Sequence, residues 1–164
     1  MTIAILTFVT LQRLGELILS QRNTRRLLAD GAREYGAAHY PLLVMLHAAW
    51  LAALWWFAPG QPINLPCLAL FVLIEIGRIW VLRTLGSRWT TRIIVVPGER
   101  LVATGPYRFV DHPNYVVVAL EIAVLLMVFG LIELALVFSL LNAVVLFIRI
   151  RAENAALRSL RGPA

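Results

Sequence analysis

The chain has 164 residues, 60% of them hydrophobic, with a mean hydropathy of +0.80, well above the roughly 45–50% apolar content of ordinary soluble domains. That excludes a water-soluble globule and predicts an all-α integral membrane bundle, a single domain over residues 1–164 with no separate soluble catalytic module. The formal net charge of +6 rests on fifteen arginines and no lysine, which excludes Schiff-base chemistry; Cys67 is the only cysteine, which excludes disulfide frameworks and cysteine-rich metal sites.

Five segments are apolar enough to span, at residues 2–19, 41–57, 66–85, 115–130 and 132–148. Each is near the roughly 17–25 residues that a helix needs to cross the hydrocarbon core, the last two at the short end. The first lacks a basic leading region and carries Arg13 and Glu16 in its interior, so it reads as a retained helix rather than a secretion signal. Arg13 and Glu16 are three apart, as are Glu75 and Arg78 in the third span, and that spacing puts each pair on one helix face as a charge-compensated link. Cys67 reads as a small apolar packing residue. His39 and His47 flank the start of the second span without metal-ligand spacing, and packing is their expected role. Glu121, in the fourth span, has no opposite charge nearby in the sequence.

Arginine placement orients the bundle, because short cytoplasmic connections accumulate positive charge. Arg22, Arg25, Arg26 and Arg33 follow the first span, Arg83, Arg88, Arg92, Arg100 and Arg108 the third, and Arg149, Arg151, Arg158 and Arg161 the fifth. The connection APGQPINLP and the turn around Gly130 carry none. Five spans then put the N-terminus outside and the C-terminus in the cytoplasm, with the long connection 86–114 on the cytoplasmic side. Its turn signals Pro97-Gly98 and Gly105-Pro106 predict that it folds back over the helix ends. The terminal RIRAENAALRSL is helix-favouring and extends the fifth helix.

The densest polar chemistry lies in GPYRFVDHPNY and in the Arg149/Glu153 face. Pro113 suits the first turn of a helix, which places His112 near the N-cap and leaves N–H groups of that turn free for a carboxylate. Arg149 and Glu153 are four apart, which is also the spacing of an ordinary helical ion pair.

Taken together, these two stretches resemble the isoprenylcysteine carboxyl methyltransferase family, whose pattern is approximately Gly-x-Tyr, then Arg-His-Pro-x-Tyr, then Arg-x-x-x-Glu-Glu after a helical hairpin. Gly105, Tyr107, His112, Pro113, Tyr115, Arg149 and Glu153 match it, while Asp111 and Asn154 depart from it. The resemblance is closest over residues 86–160, and RNTRRLLADGAREYGAAHYPLLVMLH looks like a bacterial branch associated with methylating long-chain polyketide phenols and pyrones. It implies S-adenosylmethionine as cofactor in a cytoplasmic pocket, and a lipid-like acceptor entering from the bilayer. Carried over by position, Arg92, Glu99, Arg100, Leu101, Val102, Tyr107, His112, Pro113, Asn114, Tyr115 and Glu153 would bind the cofactor. Arg149 would face the acceptor, so that Arg149, Glu153 and His112 form the expected catalytic group. No metal is required.

A carboxylate acceptor arrives ionised, whereas a phenol of pKa near ~10 must lose a proton first; His112 and Glu121 are the candidate bases. The expected localisation is the bacterial inner membrane, and the expected partners are membrane lipids and a lipophilic small molecule, with no nucleic acid. Two other enzyme readings share the cofactor architecture: a phospholipid N-methyltransferase and a sterol-reductase-like enzyme. A small proton-coupled transporter, with Glu16 as its site, is the reading from another class.

Overall fold

The computed structural model describes residues 1–98 and 102–160, with side chains described through 157. Five helices carry the fold: α1 (Thr2–Ala29), α2 (Tyr40–Phe57), α3 (Leu65–Leu85), α4 (Pro113–Val128) and α5 (Ile132–Leu160). Four of the predicted segments lie in helices long and apolar enough to cross a membrane, while α4, with 16 residues, is a shorter apolar helix. At 1.5 Å per residue α4 is about 24 Å long. The fifth segment is not short: α5 runs without a break through RIRAENAAL, because that stretch lacks proline and glycine.

Much of the apolar surface points outward. Leu73, Ile76, Leu136, Leu140, Val144 and Phe147 are exposed, as expected for a bundle whose solvent is lipid. Inside, Leu6, Val9, Trp50, Leu54, Ile122, Leu125, Leu126 and Phe129 form the core. Since lipid tails are as apolar as leucine, helix association here depends on close packing and interhelical polar links. Gly77 of α3 faces Val117 of α4, where an added Cβ would make ordinary van der Waals contact at 3.8 Å. The indole N–H of Trp50 donates to the Ile122 carbonyl (3.2 Å), tying α2 to α4. Asn64 caps α3 by accepting from the Cys67 N–H (3.0 Å), and its own N–H donates to the Val128 carbonyl at the end of α4.

One element was not expected in an all-helical chain. Strands β1 (Arg33–Tyr35) and β2 (Ile93–Val95) form an antiparallel ribbon with Glu34 opposite Ile94. Three residues are too few to show an alternating pattern, and the partners are about 60 residues apart in sequence. The ribbon belongs to the long connection, which packs back across the helix ends. The Asn23 side chain of α1 donates to the carbonyls of Gly86 (3.3 Å) and Trp89 (2.8 Å), and the Thr91 N–H donates to Ser20 Oγ (2.8 Å). Gly105, with φ +57°, sits where an added Cβ would be 2.4 Å from Thr84 Oγ1 and 3.2 Å from Trp80 Nε1, so only glycine fits this contact with α3.

Candidate active site

A cavity of about 1090 Å³ lies beneath the connection, lined by residues of all five helices. Its walls change character along its length. Tyr107, Asp111, His112, Asn114, Tyr115, Glu153 and Asn154 line one end, and Leu14, Leu17, Val44, Leu51, Val118 and Leu146 supply apolar surface elsewhere.

At the polar end, His112 precedes α4 and provides no side-chain cap; Pro113 carries no N–H, and the Tyr115 N–H donates to the His112 carbonyl (3.0 Å). The His112 ring stacks on Tyr115 (5.3 Å between centroids, 19° between planes) with Nδ1 3.6 Å from Glu153 Oε2. The Tyr115 hydroxyl donates to the same carboxylate oxygen at 2.6 Å. Burial and the negative charge of Glu153 push the pKa of Tyr107 up to about 12. Tyr107 therefore remains a hydrogen-bond donor at neutral pH.

One turn along α5, Arg149 is buried and donates from Nη2 to the Thr91 carbonyl (2.9 Å). Its guanidinium lies 5.7 Å from the centre of the Tyr115 ring, while its buried Nε–H has no hydrogen-bond partner among the described residues. Arg149 and Glu153 form no ion pair with each other among the described residues. The ordinary i,i+4 pairing allowed by their spacing is thus replaced by separate contacts to the connection and to α4. Thr91 joins these parts: its hydroxyl bonds Ser20 Oγ (2.7 Å) and the Tyr40 hydroxyl (3.0 Å).

Deeper in the bundle, the two predicted charge pairs merge into one cluster. Arg13 donates to Glu16 (2.6 Å), Arg78 reaches both Glu16 oxygens (3.3 Å each), and Gln12 bridges Glu16 (3.2 Å) and Glu75 (2.6 Å). Glu121, alone in the sequence, is held by both Arg13 and Arg78 and is 1% exposed. This corrects its reading as a candidate base: it belongs to the cluster and does not line the cavity.

Of the residues expected at the site, Arg92, Val102, Tyr107, His112, Asn114, Tyr115, Arg149 and Glu153 line the cavity. The Arg92 guanidinium is already engaged, by Glu34 (2.6 Å) and by the Tyr40 ring (4.3 Å). Glu99, Arg100 and Leu101 lie outside the described residues. Pro113 is placed differently: it lines a shallow apolar groove with Gly77, Trp80, Phe109 and Val117. At 3.6 residues per turn, position 113 shares a face with 116 and 117, whereas 114, 115 and 118 face the cavity. Sequence reasoning missed Thr91, whose role is carried by its backbone. It also missed His47, though Tyr40, Leu43, Val44, His47 and Leu51 have the spacing of one helix face and all line the cavity.

The isoprenylcysteine carboxyl methyltransferase (ICMT) family profile matches residues 67–159. An uncharacterized protein, YpbQ of Bacillus subtilis (strain 168), is 34% identical over 167 residues, covering 94% of this chain and 95% of that protein. An uncharacterized protein of Haemophilus influenzae is 28% identical over 108 residues, 63% of each chain. No solved structure gives a significant match.

Proposed function

The chain belongs to the isoprenylcysteine carboxyl methyltransferase family, and on that premise we propose that it transfers a methyl group from S-adenosylmethionine to an oxygen of a lipid-like acceptor. The acceptor oxygen is a carboxylate, phenol or enol, as in a prenylcysteine or a long-chain polyketide. The observation that carries this reading is a single cavity with a polar end built from Tyr107, His112, Tyr115 and Glu153, the buried Arg149 one turn away, and apolar surface on several helices.

The residues present suit both partners. Glu153, fixed by the Tyr115 hydroxyl, is an anion for ribose hydroxyls or an ammonium group, and the uncapped start of α4 suits a carboxylate. The unpartnered Nε–H of Arg149 calls for an acceptor atom, and an anionic oxygen gives the strongest charge-assisted bond. When bound, the cofactor supplies an electrophilic sulfonium methyl. The protein's contribution is proximity and orientation: it aligns the acceptor oxygen with the methyl–sulfur bond and excludes water. Leu14, Leu17, Val44 and Leu51 offer a track for an alkyl or prenyl chain. The arginine distribution favours the cytoplasmic face of a bacterial inner membrane for the polar end.

Calorimetric titration of the detergent-purified protein with S-adenosylhomocysteine tests the cofactor end. His112→Ala and Tyr115→Phe are expected to weaken binding while leaving a folded protein, and unchanged affinity in both would move the site elsewhere. Mass spectrometry of membrane lipids after expression should reveal a species heavier by one methyl.

A further inference from the structure

Besides His112, the cavity wall holds one further histidine among the described residues, His47 of α2. Its Nδ1 is 2.9 Å from the Leu43 carbonyl, which can only accept, so the neutral ring carries its proton on Nδ1 and its lone pair on Nε2. The backbone therefore sets the tautomer that a proton acceptor requires. On one side the ring meets Trp50 edge-on, with centroids 6.5 Å apart. The adjacent helix positions Leu43, Val44, Ala48 and Leu51 give the cavity an apolar surface around it. Charged groups lining the same cavity are Arg13 and Glu16 from α1, Arg78 from α3, Arg88, Arg92 and Asp111 from the connection, and Arg149 and Glu153 from α5.

The other candidate bases have different commitments. Glu121 is ion-paired with two guanidiniums and does not itself line the cavity. His112 stacks on Tyr115 and faces Glu153 at the polar end. His47 is thus an imidazole with a base-competent nitrogen on the helix face that supplies the apolar track. A carboxylate acceptor would have no use for it, because a carboxylate arrives ionised, whereas a hydroxyl of pKa near ~10 requires deprotonation.

Building on the methyl-transfer reading, we infer that His47 Nε2 is the general base that deprotonates a phenolic acceptor. Nε2 takes the hydroxyl proton as the oxygen–methyl bond forms. The methyl–sulfur bond breaks, its electron pair stays on sulfur as neutral S-adenosylhomocysteine, and the imidazolium later gives its proton to water. Arg149 faces the developing phenolate.

His47→Asn tests this, because the amide N–H takes the place of Nδ1–H toward Leu43 while no base remains. Single-turnover methylation of an alkylphenol should fall about 10²-fold, whereas an alkyl nitrophenol already ionised at the assay pH should change by less than about threefold. Visible absorption of that nitrophenol, bound with S-adenosylhomocysteine, should show its phenolate band appearing at least about one pH unit higher in the variant. S-adenosylhomocysteine affinity should be unchanged. Equal losses on both phenols with superimposable absorption titrations would overturn the role of His47. Methylation of a long-chain carboxylate but of neither phenol by the parent protein would overturn the role of His47 while leaving methyl transfer standing. A parent protein that does not bind S-adenosylhomocysteine sinks the methyl-transfer reading and this inference with it.

Discussion

Glu121→Leu removes one of the two carboxylates, Glu16 being the other, that face both Arg13 and Arg78 in the bundle interior. Arg78 is 2% exposed and keeps Glu16 at 3.3 Å and Glu75 at 3.9 Å, while Arg13 keeps Glu16 at 2.6 Å. Neither guanidinium is left wholly unpaired, so the cost lies near the lower end of the ~3–5 kcal/mol seen when one partner of a buried ion pair is deleted. For a chain of this size each kcal/mol is worth roughly 2–4 °C, so a loss of about 3 kcal/mol lowers the midpoint by about 6–12 °C. Arg26→Ala is the control: its partner Asp30 is 3.9 Å away, both side chains are more than 60% exposed, and such surface pairs contribute at most about 1 kcal/mol. Thermal unfolding in detergent micelles, followed by tryptophan fluorescence, compares the two variants, and a double-mutant cycle with Arg78→Leu isolates the coupling. A Glu121→Leu midpoint indistinguishable from that of Arg26→Ala would refute the claim that this cluster helps lock α1, α3 and α4 together.

Arg149→Met should lower single-turnover methyl transfer about 10²–10³-fold with little change in S-adenosylhomocysteine affinity, while Glu153→Gln should weaken that affinity about tenfold or more. Identical small stability losses with both assays untouched would make these residues merely structural. Because the pKa of Tyr107 is raised in the folded protein to about 12, the folded state holds a proton that the unfolded chain releases above its usual value of 10. Its contribution to stability is complete below pH 10 and declines as pH rises from 10 toward 12. Tyr107→Phe should flatten that part of the stability–pH curve, and an unchanged slope would contradict the assignment. Reporter fusions after Pro62 and after Ala164 should report opposite compartments, with the C-terminal one cytoplasmic; a shared compartment would sink the proposed orientation.

The sequence by itself determined the apolar segments, the arginine-bearing connections and the small set of polar residues where chemistry is concentrated. These are local properties: hydropathy marks a span, and a spacing of three or four residues puts Arg149 and Glu153, or Arg13 and Glu16, on one helix face. Tertiary structure decided what each face meets. A helix surrounded by lipid and by other apolar helices can rotate about its axis without changing its hydropathy, so packing alone selects the rotation. That rotation gathered Arg13, Glu16, Glu75, Arg78 and Glu121 into one cluster, turned Pro113 toward α3, and brought His47 to the cavity wall. The three-residue strands and the bond from Arg149 to the Thr91 carbonyl carry no side-chain pattern at all. Backbone groups distant in sequence become partners only once the connection has folded across the helix ends.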